Sequence, residues 1–371
     1  LLGIPKSEDA NEAGGPNSSR CTLILTEGDS AKTSCLAGLS IVGRDYYGVF
    51  PLRGKLLNVR EASFKQQIGN VEIQNILKIM GLNIGDKYER GHGSLRYGSL
   101  MLMTDQDHDG SHIKGLIINL IHYYWPSLLQ YSGFLKQFVT PIVKAKKGNT
   151  ELSFFTLYEY DEWRRNNQDK LTGWRFKYYK GLGTSTDLEF KEYFTNIEHH
   201  SIDFEWKDAQ DDEAIDMAFS KKRTEDRKVW IEGFQEGTHI DYSSNNHSRI
   251  LRYFDFIHKE LVLFSRYDTV RSIPNIMDGL KPGQRKVLFA AFKKKLHSEL
   301  KVAQFAGYVA EHSAYHHGES SLQSTIINMA QNFVGSNNLN LLQPCGQFGS
   351  RKEGGKDASA PRYIFTKLCS W

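Results

Sequence analysis

The chain has 371 residues, enough for two or three domains with their own hydrophobic cores. The 47 lysine and arginine residues against 43 acidic ones give a net charge of +4, and 40% of the residues are hydrophobic, so disordered, collagen-like and coiled-coil chains are excluded. No apolar run approaches the roughly 18 to 20 residues of a membrane helix, and the four cysteines form no CxxC pair. We therefore expect neither a membrane protein nor a disulfide or zinc framework.

The first half of the chain contains two strand–loop–helix units. Residues 1–20 are polar and rich in glycine, and we predict a linker there. Residues 21–25 have the pattern of a strand and residues 31–39 that of a helix. Further on, the apolar run 100–103 predicts a buried strand, and apolar residues spaced by three and four predict an amphipathic helix over 113–124. The repeated unit predicts an α/β fold with a largely parallel sheet, in which ligands bind at the carboxyl ends of the strands.

Acidic side chains follow both predicted strands. Glu27 comes after the first, and Asp105, Asp107 and Asp109 come after the second, in the sequence DQDHDG. Their alternation allows the three aspartates to converge on one cation, and carboxylate oxygens suit Mg²⁺. The same opening is typical of an EF-hand calcium loop, but Leu116 stands where that loop needs a glutamate, and a strand rather than a helix precedes it. The remaining alternative is a solvated acidic turn.

The second half of the chain has a different character. Beyond about residue 140 the sequence is rich in aromatic residues, and beyond about 250 helical patterns over 253–264, 284–296 and 321–333 predict a second, mainly helical domain. Between Lys281 and Lys301, seven basic residues stand against a single acidic one. Such a cluster indicates either a phosphate-binding surface or a solvated helix face, and composition alone does not decide between them.

Ordered motifs along nearly the whole chain resemble those of type IIA DNA topoisomerases, and eukaryotic topoisomerase II more than bacterial gyrase. They include EGDSAK at 27–32, PLRGKLLN at 51–58, DQDHDG at 105–110, KYYKGLGTST at 177–186, YHHGE at 315–319 and PRYI at 361–364. The resemblance implies a Rossmann-like TOPRIM domain over 21–140, a TOPRIM extension and connector over 141–250, and a mainly helical winged-helix DNA-cleavage domain over 251–371. We expect the winged-helix domain to be incomplete, because the eight residues after the tyrosine of the last motif are too few to finish its core.

The resemblance also implies a nucleophile and its helpers. Tyr363 is the residue that becomes linked to a DNA 5′-phosphate, and Arg362 beside it stabilises the transition state. A tyrosine suits this reaction because its phenolate is also a good enough leaving group for the return step. His316 and His317 resemble the histidines that lie near the scissile phosphate, although a pair of histidines is by itself more often structural.

Metal and DNA contacts follow from the same resemblance. Mg²⁺ is expected to be held by Glu27, Asp105 and Asp107, with Asp109 as a further ligand. Either a carboxylate of that cluster or a metal-bound water acts as the general acid, and the sequence leaves this choice open. The implied DNA-binding residues are Lys55, Asn58, Lys221, Lys222, Lys281, Tyr315 and Ser321.

The implied function is Mg²⁺-dependent, transient breakage of both strands of DNA, followed by religation, in a nuclear homodimer. The chain contains no GxxxxGK[ST] nucleotide loop, so we expect ATP to act only through domains that this chain lacks. We therefore expect no ATP-dependent relaxation of supercoiled DNA by residues 1–371 alone.

Two alternatives belong to other classes of protein. The first is a shortened relative of topoisomerase II that binds DNA or the full-length enzyme without passing strands. The second is a TOPRIM nuclease or primase-like protein, which is disfavoured because such proteins lack the RY and YHHGE elements. The acidic and tyrosine motifs favour the enzyme, whereas the shortness of the chain favours the binding module.

Overall fold

The computed structural model describes residues 3–88, 95–242 and 249–369, and the chain divides into two compact units, Leu1–Arg266 and Tyr267–Trp371. The strands of the first unit are β1 Thr22–Glu27, β2 Tyr47–Leu52, β3 Ser99–Met103, β4 Leu135–Phe138, β5 Val143–Lys147, β6 Thr150–Phe154, β7 Arg175–Tyr178, β8 Ser201–Glu205 and β9 Ile250–Arg252. Its helices are α1 Gly28–Val42, α2 Phe64–Gly69, α3 Val71–Met80, α4 His108–Tyr124, α5 Pro126–Leu129, α6 Leu157–Asn166, α7 Asp187–Thr195, α8 Ile197–His200, α9 Ala209–Phe219, α10 Thr224–Glu232 and α11 Tyr253–Asp255. The π-helical segment Phe256–Leu261 follows, and the division falls within α12, Val262–Ser272. No helix in the described ranges is both long and apolar enough to cross a membrane.

The central sheet of the first unit confirms the predicted α/β fold. Within the described residues its strand order is β2–β1–β3–β4–β8–β9, and all neighbours are parallel except β4 and β8. Leu23 and Leu25 of β1 belong to the hydrophobic cluster that includes α3 and α4, whereas Ile24 belongs to the cluster that includes α1 and α7. Because both faces are covered, the central strands are nearly continuous apolar runs, as the sequence predicted.

A smaller antiparallel sheet accounts for the aromatic-rich stretch beyond residue 140. It has the order β6–β5–β7. Phe154 and Tyr160 form its buried core together with Val143, and Trp163 and Phe176 pack against them. These aromatic residues therefore serve to pack the small sheet.

The N-terminal segment is part of the first unit. Glu8 pairs in antiparallel fashion with Val49 of β2, and Ala10 is buried. Asp9 accepts a hydrogen bond from the Tyr97 hydroxyl and forms an ion pair with Arg96. The polar composition of this segment predicted a linker, but its polar side chains hold residues 3–20 against the edge of the sheet. Residues 1–2 lie outside the described residues.

The acidic stretch around residue 210 is also structural. Asp208 caps the N-terminus of α9. Asp211 is fully buried, and its Oδ2 lies 3.0 Å from Arg252 Nε. Asp211 also accepts the backbone N–H groups of Lys207 and Phe254 at 2.9 and 2.8 Å. These bonds tie α9 to the start of α11.

Besides the end of α12, the second unit contains three helices and a small sheet within the described residues. They are α13 Pro282–Lys294, α14 Val302–Ser313 and α15 Glu319–Ala330, with β10 Leu300–Lys301, β11 Leu342–Cys345 and β12 Phe365–Leu368. β12 lies between β10 and β11 and is antiparallel to both. Ile364 is 1% exposed and belongs to the same core as Phe305 and Leu322. The residues after Tyr363 thus supply the central strand of this sheet and a core residue, while the expectation that the winged-helix domain is incomplete stays a prediction.

Candidate functional site

Glu27 and Asp105 meet at one edge of the central sheet. β1 and β3 are neighbouring parallel strands with Thr26 opposite Met103, so the residues that follow them come together. The backbone N–H of Asp105 donates to Glu27 Oε2 at 3.1 Å. Burial and, second, the charge of Asp105 raise the pKa of Glu27 to about 7. The two acidic motifs thus lie at adjacent strand ends, as the sequence predicted.

The KGLG motif holds the Asp105 carboxylate. The Leu182 N–H donates to Asp105 Oδ1 at 2.7 Å. A Cβ at Gly181 would come within 2.3 Å of Asp105 Oδ2, and a Cβ at Gly110 within 2.0 Å of the Asp105 carbonyl oxygen. Only glycine permits such an approach at these two positions. Burial raises the pKa of Asp105, and the hydrogen bond from Leu182 opposes that rise.

Asp107 and Asp109 have other partners. Asp107 is the N-cap of α4, and its Oδ1 accepts the Gly110 N–H at 2.7 Å. Asp109 Oδ1 lies 2.6 Å from Lys55 Nζ. The three alternating aspartates thus have separate partners in the structure, and Asp107 is taken up as the cap of α4, which begins at His108. Their charges still act on one group: after burial and Asp105, the charges of Asp107 and Asp109 also raise the pKa of Glu27. Within the part of the chain that the structure describes, no three acidic, histidine or cysteine side chains group closely enough to hold a metal ion.

Glu27 and Asp105 nevertheless have the chemistry that a hard divalent cation requires. Mg²⁺ is usually bound through one or two carboxylates, with water and phosphate oxygens completing its shell. Repulsion from Asp105 contributes to the raised pKa of Glu27, and a cation beside the two carboxylates relieves that repulsion. The chemistry of these two carboxylates is therefore suited to a hard divalent cation.

Residues predicted to contact DNA line a surface cavity of the first unit. Its volume is about 440 Å³, and Lys55, Asn58 and Lys221 contribute to its wall. Asn58 is also used within the protein, since its Nδ2 donates to the Phe219 carbonyl at 3.0 Å. Lys222 is exposed in the same short 3₁₀ turn as Lys221. The structure thus brings together lysines that lie more than 160 positions apart in the chain.

A cavity of about 560 Å³ in the second unit gathers a further set of predicted residues. Its wall includes Lys281, Tyr315, His317 and Ser321. The Tyr315 hydroxyl donates to Ser321 Oγ at 3.3 Å, and His317 Nε2 lies 2.7 Å from the Tyr267 hydroxyl. His316 is exposed next to this wall. These polar groups are open to solvent, as expected for contacts with a large substrate.

Tyr363 lies on an exposed turn whose following residue is packed in the core. Its side chain is 66% exposed, and the central carbon of the Arg362 guanidinium lies 4.9 Å from the centre of its ring. The next residue, Ile364, is in the core, and its carbonyl accepts the Val302 N–H at 3.0 Å. The Tyr363 side chain is therefore accessible although its backbone is fixed.

Sequence reasoning missed a buried polar network beside the acidic loop. The Lys114 side chain is 2% exposed, and its Nζ lies 2.5 Å from Glu260 Oε1 and 2.9 Å from Gln137 Oε1. One signal was present, because Lys114 lies among the apolar residues of α4 and a buried ammonium requires a partner. The identity of that partner, 146 positions further on, has no local signal.

Comparisons with known proteins follow the same layout. Family models match in chain order: the Toprim domain over residues 22–138, the C-terminal associated domain of TOPRIM over 138–269, and the A subunit of DNA gyrase/topoisomerase IV over 271–371. The chain is 68% identical to DNA topoisomerase 2 of Plasmodium falciparum (isolate K1 / Thailand) and 59% identical to DNA topoisomerase 2-alpha of Homo sapiens. Each match covers 100% of this chain but only 26% and 25% of the relative, so the chain spans about a quarter of their length.

A solved structure matches over the whole chain as well. The crystal structure of the Plasmodium falciparum topoisomerase II DNA-binding, cleavage and re-ligation domain has a TM-score of 0.82 at 68% identity, covering 100% of this chain and 50% of that one. The family resemblance carried by the sequence motifs is thereby confirmed, as is the fold class. The chain belongs to the type II DNA topoisomerase family.

Proposed function

We propose that this chain is the cleavage core of a type II DNA topoisomerase, which breaks and rejoins both strands of DNA. The observation that carries the proposal is the exposed Tyr363, with the Arg362 guanidinium beside its ring, in the PRYI motif. A duplex is too large to enter an enclosed pocket, so its nucleophile must stand on the surface. The similarity to DNA topoisomerase 2 over the whole chain supports the same function.

The proposed step is a transesterification. Tyr363 Oη attacks a backbone phosphorus, the bond from phosphorus to the 3′ oxygen breaks, and the 5′-phosphate stays on the tyrosine. The phenol gives up its proton and the departing 3′ oxygen receives one; religation reverses both transfers. Arg362 is permanently charged, and its planar fork matches a phosphate, so it stabilises the charge that develops there. We assign His316 and His317 to the same phosphate because their YHHGE motif resembles that of the family.

The acidic edge supplies the proposed metal ligands. Glu27 and Asp105 are the proposed Mg²⁺ ligands, Asp107 is a third candidate and Asp109 a further one. When bound, Mg²⁺ stabilises negative charge on the phosphate and on the departing oxygen. The Leu182 N–H and the lack of a side chain at Gly181 hold the Asp105 carboxylate in one orientation. For Asp107 to act as a ligand, it must share its oxygens with the cap of α4.

The lysines neutralise DNA phosphates. Lys55, Lys221, Lys222 and Lys281 carry the charge, and Asn58, Tyr315 and Ser321 add polar contacts. Contacts of this kind position a duplex without reading its bases, so the expected sequence preference is weak.

We also propose that the whole protein is a nuclear homodimer that uses ATP through other domains, because the resemblance implies a tyrosine from one protomer working with the metal site of its partner. The second candidate function is a DNA-binding or topoisomerase-binding module without strand passage. The presence of Glu27, Asp105, Arg362 and Tyr363 favours the enzyme.

A Tyr363→Phe variant tests the proposed function. The full-length protein is incubated with supercoiled plasmid and Mg²⁺ and denatured with detergent, and the DNA that remains covalently attached is measured. The expected result is attachment with the unchanged enzyme and none with Tyr363→Phe. The matched control is Tyr123→Phe, at a tyrosine that is 45% exposed in the first unit, and it should retain attachment. Attachment that survives Tyr363→Phe contradicts the assigned nucleophile, and no attachment with the unchanged enzyme favours the binding module.

A further inference from the structure

A largely buried carboxylate, with 13% of its side chain exposed, lies behind the acidic loop. Glu260 belongs to the π-helical segment Phe256–Leu261 and accepts hydrogen bonds from Ser111 Oγ at 2.8 Å and from the Tyr242 hydroxyl. Its ion pair with Lys114 has a distance of 2.5 Å. Gln137 closes the network, because it accepts from Lys114 at 2.9 Å and donates to Tyr242 at 3.2 Å. Every member of this buried network therefore has a polar partner.

The network reaches the acidic loop through the first turn of α4. Asp107 is the cap of that helix, and both the backbone N–H and the Oγ of Ser111 lie 3.1 Å from the Asp107 carbonyl oxygen. Lys114 is three residues beyond Ser111 and so lies on the same face of the helix. Glu260 thus contacts α4 at two successive points. Two contacts on one face fix both the position and the rotation of a helix start.

Burying this ion pair adds little to the free energy of unfolding. An ammonium and a carboxylate taken out of water roughly recover the cost of desolvation through their attraction, so such a pair stabilises a fold little more than apolar packing does. Burial acts to raise the pKa of Glu260, but the Lys114 charge and the three hydrogen bonds hold it below its usual value. Glu260 is therefore a fixed negative charge.

The π-helical turn gives Glu260 its direction. A π turn adds one residue to a helix, which rotates the following side chains by about 100° relative to a regular helix, and such turns are rare and concentrated at functional sites. Phe256 and Leu261 of the segment are buried in the main core, and Glu260 lies among them facing α4. The irregular turn thus directs one carboxylate, that of Glu260, towards α4, the helix that follows the acidic loop.

We propose that Glu260 is a positioning residue for the acidic loop: through Ser111 and Lys114 it fixes the start of α4, and with it the carboxylates that bind a divalent cation. This inference rests on the proposed function, which makes Glu27 and Asp105 metal ligands. Glu260 touches neither the cation nor DNA in this role.

The test measures Mn²⁺ binding to the 371-residue chain from the electron paramagnetic resonance signal of free Mn²⁺. Glu260→Gln keeps the shape of the side chain but removes its charge, and it should weaken binding about 10-fold, as loss of a residue that orients a metal ligand typically does. Lys114→Met combined with Glu260→Gln removes both charges. This double variant should regain thermal stability and still bind Mn²⁺ weakly, because the contact to Ser111 stays altered.

A matched control separates positioning from loss of stability. Asp211→Asn breaks a second ion pair of the same unit, the one between Asp211 and Arg252. The partners of Asp211, which are Arg252, Lys207 and Phe254, lie outside α4 and the π-helical segment. Asp211→Asn should lower the melting temperature and bind Mn²⁺ as tightly as the unchanged chain. The proposal is overturned by wild-type Mn²⁺ affinity in Glu260→Gln, by full recovery of affinity in the double variant, or by an equal loss in Asp211→Asn.

The same titration tests the proposed function separately. Asp105→Asn should abolish Mn²⁺ binding. If the unchanged chain and Asp105→Asn bind Mn²⁺ alike, the metal site of the proposed function fails and the role of Glu260 fails with it. If only Asp105→Asn loses binding and Glu260→Gln does not, the metal site stands and the positioning role alone is overturned.

Discussion

The acidic edge of the first unit and the tyrosine turn of the second solve different physical problems. Glu27 and Asp105 are partly buried, repel each other and are held by backbone groups from a distant segment. Tyr363 and Arg362 are exposed, whereas the next residue, Ile364, is packed in the core. The proposed metal ligands are thus held inside the fold, whereas the proposed nucleophile stands outside it.

This difference separates function from stability in a testable way. Substitutions at the acidic edge should change both metal chemistry and folding, because the same atoms serve both. Substitutions on the tyrosine turn and on the exposed helices of the second unit should change the reaction or DNA binding and leave folding nearly unchanged.

Asp105→Asn should have the largest effect. In the full-length protein it should abolish Mg²⁺-dependent DNA cleavage and leave DNA binding intact or stronger, because a negative charge near the phosphates is removed. Stability should rise, since the amide oxygen still accepts the Leu182 N–H and the repulsion with Glu27 disappears. Asp109→Asn, which breaks the pair with Lys55, should retain part of the cleavage. Unchanged cleavage by Asp105→Asn across a Mg²⁺ titration would contradict the site.

Charge reversal on the exposed end of α13 should come next. Replacing Lys293, Lys294 and Lys295 by Glu should weaken DNA binding and lower the slope of log affinity against log salt by about 0.9 for each phosphate that is no longer neutralised. The melting temperature should stay unchanged because all three side chains are exposed. Lys146→Glu with Lys147→Glu, at exposed lysines of the first unit, is the control. An unchanged slope in the triple variant means that this helix face is merely solvated.

His200 should make the first unit sensitive to acid. Burial lowers the pKa of this imidazole from 6.5 to about 4. Above pH 6.5 the histidine is neutral in both states, but as the pH falls from 6.5 to 4 the unfolded chain takes up a proton that the folded chain refuses. The free energy of unfolding should therefore fall by about 3 kcal/mol across that interval. His200→Asn should remove this dependence, as measured by denaturant unfolding between pH 4 and 7; an identical acid slope in the variant would show that other groups cause it.

Gly181→Ala should have the smallest effect of the four. Its Cβ would lie 2.3 Å from Asp105 Oδ2, so the carboxylate must shift, at a cost of about 1 to 3 kcal/mol. Gly183→Ala, two residues on, is the matched control because nothing lies within 4 Å of a Cβ there. The melting temperature and the rate of Mg²⁺-dependent cleavage should both fall for Gly181→Ala and stay unchanged for Gly183→Ala. Equal behaviour of the two variants would mean that the KGLG segment moves freely.

Much of the fold was predictable because its signals are local. β1, β3 and α4 carry their own periodic patterns, and parallel neighbouring strands bring Glu27 and Asp105 together without further information. The family motifs added the proposed roles of Tyr363 and of the DNA-binding residues, which spacing alone does not indicate.

The rest depended on competition between local roles or on contacts far apart in the chain. Asp107 fits equally well as a metal ligand and as the cap of a helix that begins at His108, and in the structure the cap is formed. The Leu182–Asp105 bond spans 77 positions and the Ser111–Glu260 bond 149, so no sequence window contains either pair. The role of β12 was missed for the same reason, since its partners lie on separate strands upstream.

The position of β12 has a mechanical consequence. If a broken DNA end remains attached to Tyr363 while the duplex is pulled apart, the tension enters the protein two residues before the central strand of a small sheet. A strand loaded along its own axis yields only when the hydrogen bonds on both of its edges shear together, and β12 is bonded to a neighbour on each side. The force that the protein can resist at the cut end is therefore set by that sheet. Substitutions that weaken the pairing of β12 should let the sheet yield at a tension that the phosphotyrosine bond itself withstands.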